Sequence, residues 1–289
     1  MEFDDAVYHV MSRGNERRAI VHDDRDRGKW LTLLAATVER YGWRVFSFAM
    51  MANHFHLFVQ TPQPNLSAGM HDLNGSYAGY FNARHGRVGH LVQGRFKSVL
   101  IEDEQRGYRL EVSRYVHLNP VRARLVVRPE DWPWSSYPGY HRPARRLGWV
   151  DYGRVLGEFG GDTPSGRGAY RRYVEAGLGR QLDNPLSAAA HGLVLGSDAF
   201  LARIRGMLAD RTDDAEMPTL RRLRRGAAMA DVIAAVFSQL GGQPEHWRAG
   251  RRCDDLSRPV AAYIARQATA LPGREIAEAL GYRSLSSVS

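Results

Sequence analysis

Cysteine and lysine are almost missing from this sequence. A single cysteine, Cys253, among 289 residues excludes an internal disulfide and any multi-cysteine zinc site, so a metal would have to be held by imidazole, carboxylate or amide groups. Lys29 and Lys97 are the only lysines, which makes arginines of all the other residues among the 40 basic ones; against 31 acidic residues the formal net charge is +9. Arginine suits bidentate phosphate contact, so this imbalance points to a polyanion, nucleic acid first. Long apolar runs are missing as well. No stretch approaches the roughly 18 apolar residues that a membrane-spanning helix needs, and no membrane partner is expected. The opening Met1-Glu2-Phe3-Asp4-Asp5 is acidic, unlike the basic start of a secretion signal, and a cytoplasmic location is the expectation.

What is present is the composition of a folded chain, 44% hydrophobic and 25% charged, and the length suggests two domains. Ala6 to Arg13 alternates apolar and polar residues, rich in β-branched and aromatic types, and predicts a strand closed by the turn pair Gly14-Asn15. Asp24 to Tyr41 carries Trp30, Leu31, Leu34 and Val38 at helical spacing and ends at Gly42. Residues 43–50 and 54–60 predict two strands joined by Met51-Ala52-Asn53. A second helix follows over 65–84, then a strand or hairpin over 90–101. The next helix, over 104–118, is expected to stop at Asn119-Pro120, because the residue before a proline disfavours helical geometry. The order β-α-β-β-α-β matches a ferredoxin-like split βαβ plan with an antiparallel sheet, hence the α+β class.

Beyond Pro129 the texture changes to the turn-rich aromatic segment Trp132-Pro133-Trp134-Ser135-Ser136-Tyr137. The expected organisation is a domain over 1–140, a linker with accessory helices over 141–182, and an all-helical domain over 183–289.

The residues with the clearest chemical content are His54-Phe55-His56-Leu57-Phe58-Val59, within a predicted strand. Positions i and i+2 of a strand share a face, so His54 and His56 can converge on one divalent ion while Phe55 and Leu57 turn away. Zinc, manganese, cobalt and nickel all accept imidazole, and two histidines leave positions open for water and substrate oxygens. A bare pair of this kind is more often two histidines on a polar sheet face, so the next motif decides. In Ser113-Arg114-Tyr115-Val116-His117-Leu118-Asn119-Pro120, Tyr115 and Asn119 lie four apart and share a helix face, whereas His117 points about 200° away from Tyr115. A phenol and an amide oxygen can then face the histidine pair. Tyrosine attack suits a phosphodiester, whose charge a metal can neutralise. Arg95, Phe96 and Lys97 mix charge with an aromatic ring, which can neutralise a nucleic-acid backbone and stack a base, and equally fit an ordinary strand with solvated charges; Arg13 and Asn15, at the end of the first strand, are further candidate contacts, and the resemblance that follows favours DNA for both.

Tyr8-His9-Val10 with Ser12-Arg13-Gly14-Asn15, then Met51-Ala52-Asn53-His54-Phe55-His56-Leu57, then Gly94-Arg95-Phe96-Lys97 and Ser113 through Ala123 resemble the single-tyrosine transposase family. The branch they most resemble is the REP-associated tyrosine transposases of the HUH endonuclease superfamily, and the resemblance spans about residues 6 to 140. It implies a nuclease that cuts single-stranded DNA, hairpin-containing in this branch, and becomes joined to the 5′ phosphate through tyrosine. On this chain Tyr115 would be the nucleophile, His54 and His56 the ligands of Mg²⁺ or Mn²⁺, and Asn119 the third ligand, where insertion-sequence relatives commonly carry glutamine. Those relatives are dimers, and the resemblance leaves the oligomeric state of this chain open. The alternative is a DNA-binding regulator that keeps the fold without catalysis; a hydrolase using water as nucleophile is a further rival.

A separate resemblance lies downstream. Arg251-Arg252, then Arg258-Pro259-Val260-Ala261-Ala262-Tyr263 and Gly273 through Tyr282 are similar to the duplex-binding C-terminal domain of the replication initiator DnaA. Its helix-turn-helix is expected to be truncated, since Ser284-Leu285-Ser286-Ser287-Val288 departs from that family's reading stretch. Weak duplex contact by Arg251, Arg252 and Arg258 is what this resemblance leaves as an expectation.

Overall fold

A computed structural model of the protein describes residues 1–179, 184–209, 228–241, 247, 256–269, 271 and 273–282. The chain divides into two units, Met1–Pro185 and Leu186–Ser289. Residues 141–182, expected as a linker with accessory helices, are part of the first.

Within the first unit, strands β1 (Ala6–Arg13), β2 (Arg44–Met50), β3 (His54–Thr61) and β4 (Lys97–Ile101) lie side by side as β2-β3-β1-β4, each neighbouring pair antiparallel. Helices α1 (Asp24–Tyr41) and α2 (Leu66–His85) connect them and pack on each other. Asp23 caps α1 by accepting from the Asp26 N–H at 3.1 Å, and Gly42, in the left-handed region at φ 66°, ends it. The apolar stripe of α1 faces the sheet, with the Trp30 ring 4.8 Å from Phe55 and 6.0 Å from Phe48. A bulge between Val45 and Ser47 shifts the register of β2 against β3, and on the opposite face the Phe46 and Phe58 rings meet at 5.4 Å.

That opposite face of β2 and β3 carries α3 (Arg106–Arg122). The helix does not stop at Asn119-Pro120 as expected. Pro120 removes one N–H late in the helix; the Ala123 N–H still reaches the Asn119 carbonyl and the Leu125 N–H reaches the Pro120 carbonyl, each at 2.9 Å. The buried proline ring is thereby accommodated, and α3 gains the residues up to Arg122.

β2 is covered along its outer border. The Met50 N–H donates to the Trp134 carbonyl at 2.9 Å, the Phe48 N–H to Ser136 Oγ at 3.0 Å, and the Asp151 N–H to the Val45 carbonyl at 2.8 Å. Helices α4 (Tyr137–His141), α5 (Gly153–Leu156) and α6 (Pro164–Glu175) complete the unit. A buried polar network ties α3 into this layer: His117 joins the Tyr170 hydroxyl at 2.7 Å and Ser136 Oγ at 2.8 Å, and Ser113 Oγ joins the same hydroxyl at 2.8 Å. His117 is thus turned away from Tyr115, as its helical position predicts.

The second unit is largely helical, with α7 (Asp198–Ala209), α8 (Met229–Leu240), α9 (Ser257–Ala268) and α10 (Gly273–Ala279). It is not all-helical, because Val194–Leu195 forms a short strand, β5. Val232, Val236, Trp247, Ala261, Ala265, Ile276 and Leu280 build its core. Among the described residues no helix is long and apolar enough to cross a membrane.

Candidate active site

His54 and His56 project from the same face of β3, their ring centroids 4.9 Å apart. Each is oriented by a partner on Nδ1. Asn53 Nδ2 donates to the Arg17 carbonyl at 2.9 Å, which turns Asn53 Oδ1 toward His54 Nδ1 at 2.7 Å. An amide oxygen only accepts, so His54 carries its proton on Nδ1 and keeps a lone pair on Nε2. His56 Nδ1 meets His9 Nε2, from β1, at 2.9 Å. The backbone that presents Arg17 is unusual: Glu16 and Arg17 sit at φ 53° and 61°, both left-handed. Gly14 makes that turn fit, since a Cβ there would lie 2.1 Å from the Arg18 carbonyl oxygen.

Tyr115 arrives from α3. Its ring centroid lies 5.7 Å from His56 and 5.9 Å from His9, edge-on to both. Asn119 stays beside it, its Nδ2 donating to the Tyr115 carbonyl at 2.8 Å. The structure therefore brings His54, His56, Tyr115 and Asn119 to one place. It adds three residues that the sequence reading did not assign to the site: His9, Asn53 and Arg122. Arg122 follows Tyr115 by two helical turns, and its guanidinium carbon is 5.2 Å from the phenol ring centroid.

The electrostatics are those of buried neutral bases among cations. Burial pushes His54 down to about 4, with the charge of Arg13 adding to it, and pushes His9 down to about 3. His56 lies well below the usual histidine range, first through burial and then through His9, His54, Arg13 and Arg122. Neutral imidazoles are the form that ligates metal. Burial raises Tyr115, while Arg122, a hydrogen bond with the Asn119 side chain and Arg13 favour its ionised form.

Of the expected DNA contacts, Arg13 and Asn15 are drawn against the segment that leads to Lys97. The Gln93 N–H donates to the Arg13 carbonyl at 2.8 Å and the Asn15 N–H to the Leu91 carbonyl at 2.9 Å. Arg95 and Lys97 are exposed and Phe96 half-buried. Cross-strand partners share a face, so Lys97 opposite Met11, Met11 opposite His56 and Arg13 opposite His54 put these side chains on the histidine face. Arg258 is placed differently from expectation. It is 5% exposed, donates to the Leu280 carbonyl at 2.8 Å and to that of Gly281, and stacks over Tyr282; it holds the end of α10 instead of facing solvent. Arg251, Arg252 and the segment 283–289 lie outside the described residues.

A second cluster, His22, Asp26 and His85, brings three potential ligand atoms within 4.8 Å of one another. Its centre is already occupied by hydrogen bonds: the wholly buried Asp26 carboxylate accepts from the His22 N–H at 2.8 Å, from His85 Nε2 at 3.0 Å and from Arg84. These bonds hold the carboxyl below its usual range against the effect of burial, and the cluster fastens α1 to α2.

Residues 2–119 match the model of a family described as Transposase IS200 like. Five chains among the solved structures match. One of them, a REP-associated tyrosine transposase bound to a REP hairpin, is 17% identical and covers 53% of this chain and 86% of its own, with a TM-score of 0.41. No curated protein matches the chain. The family match holds His9, Asn53, His54, His56, Tyr115 and Asn119; it ends before Arg122 and before the second unit.

Proposed function

We propose that the first unit is a metal-dependent single-tyrosine HUH nuclease and transesterase on a ferredoxin-like plan. It cuts single-stranded, hairpin-containing DNA through a covalent 5′-phosphotyrosine, in DNA transposition or the processing of repeat hairpins. The observation that carries this reading is the approach of Tyr115 to His56, which lies beside His54, with the Nδ1 atoms of both histidines already engaged. The family match over residues 2–119 supports it.

The donor set fits a divalent ion. With the His56 Nδ1–H donating to His9, both His54 and His56 present Nε2 lone pairs, and Asn119 offers an amide oxygen as third ligand. Mg²⁺ or Mn²⁺ bound there would neutralise the non-bridging phosphate oxygens and steady the departing 3′ oxygen. The protein's own part is to place the phenol. Tyr115 Oη bonds to phosphorus as the bond to the 3′ oxygen breaks; the phenol proton passes to solvent, and the 3′ oxygen takes up a proton to become a free hydroxyl. One phosphoester replaces another, so a strand's 3′ hydroxyl can reverse the step without ATP.

The test is incubation with labelled single-stranded hairpin DNAs and Mg²⁺ or Mn²⁺, followed by denaturing electrophoresis. A metal-dependent labelled protein band, lost in Tyr115→Phe, is the expected result. Cleavage without an adduct that persists in Tyr115→Phe would replace this mechanism with hydrolysis. DNA binding that never yields cleavage would favour the regulator.

A further inference from the structure

We propose that Arg122 and Arg13 form a two-armed seat for the phosphate that Tyr115 attacks, an inference that rests on the nuclease reading above. Two observations carry it. First, because α3 runs through Pro120, Arg122 lands on the face of Tyr115, 5.2 Å from the ring centroid. Arg13 comes from the end of β1, directly opposite His54 in the strand pairing. The two cations thus approach the phenol and the histidine pair from two separate elements.

Second, neither guanidinium is matched by a carboxylate. Among the described residues Arg13 and Arg122 make no ion pair, whereas Arg84, Arg109, Arg114, Arg146 and Arg171 each bond to Asp or Glu. Arg13 Nε is moreover buried with no hydrogen-bond partner. A buried donor left open costs free energy unless something arrives to accept from it. These two arms fit an anion.

The chemistry of the arms identifies that anion. A guanidinium presents paired N–H donors that match two oxygens of one phosphate, and a phosphodiester offers two non-bridging oxygens carrying one charge. As Tyr115 Oη bonds to phosphorus and the bond to the 3′ oxygen breaks, charge concentrates on those oxygens, and a fixed cation stabilises it without reorganisation. Arg122 would then be a catalytic residue as well as a DNA contact. A role limited to the helix end is the competing explanation, since a cation in the last turn also complements the helix dipole.

The experiment uses the full chain in two arms. In a Tyr115→Phe background, binding of a fluorescein-labelled oligothymidylate is followed by anisotropy across a salt titration. Arg122→Gln and Arg13→Gln should each flatten the slope of log K against log salt by about 0.7, the loss of one phosphate contact on a single strand. Arg13→Met, which keeps the apolar stem and removes the charge, serves where Arg13→Gln does not fold. In the second arm, single-turnover adduct formation at saturating DNA should slow by about 100-fold in Arg122→Gln, with partial recovery in Arg122→Lys, while far-UV circular dichroism stays unchanged. Unchanged slopes, or adduct formation as fast in Arg122→Gln as in the parent, would overturn the seat. Flattened slopes with no adduct in the parent protein would instead overturn the nuclease reading and leave the two arginines as a phosphate contact with no attacked phosphate.

Discussion

Asn53 does more than turn the chain between β2 and β3. Its amide is locked by the Arg17 carbonyl, so its oxygen dictates which nitrogen of His54 is protonated. Replacing it with leucine should weaken Mn²⁺ binding by about 10- to 100-fold, whereas aspartate, which keeps an acceptor, should stay close to the parent. Electron paramagnetic resonance of free Mn²⁺ during titration measures this directly, and equal affinities for all three proteins would sink the assignment. That His54 comes beside His56, and Asn119 beside Tyr115, was legible in the sequence because each pair sits at a spacing that fixes a common face. His9 and Asn53 were not. One was an even-handed member of an alternating strand and the other an ordinary turn residue, and only the folded side-chain geometry reveals that both touch imidazoles.

At the scale of elements, α3 holds the lesson of Pro120. A proline warns of a lost hydrogen bond, but in the last turn that loss is one bond, and the packing of a buried ring offsets it. The rule that ended the helix too early also hid Arg122. β4 came out shorter than expected for a related reason: residues 91–93 use their backbone to pair with Arg13 to Asn15 before the strand begins. Two outcomes follow for these elements. His117→Phe removes a bond to Tyr170 and one to Ser136, and urea unfolding should show a loss of about 1–3 kcal/mol; no change would mean that the buried network does not anchor α3. Gly14→Ala drives a methyl group into the Arg18 carbonyl, so the turn must shift and Asn53 loses its anchor. Weakened Mn²⁺ binding in that variant, in step with Asn53→Leu, is the expected result.

The whole molecule carries its buried histidines as a pH liability. Burial holds His9 and His117 at about 3 and His54 at about 4, against 6.5 for an unfolded histidine. The unfolded chain therefore binds more protons between those values, so stability is complete above pH 6.5 and is lost as pH falls toward 4. Calorimetry of the metal-free protein should show the melting temperature dropping steadily across that window. A flat profile would mean that these imidazoles are not buried neutral. At this scale the sequence announced two parts through the change of texture after Pro129, yet the first unit reaches Pro185, because residues 134–151 finish its sheet.

That finishing segment has a consequence for self-association. With Trp134, Ser136 and Asp151 already spending their backbone or hydroxyl groups on β2, the outer border of that strand has no run of open amides and carbonyls for another strand to read. Two copies of this protein cannot join by continuing one sheet into the next through β2. Any pairing of copies has to use a different surface.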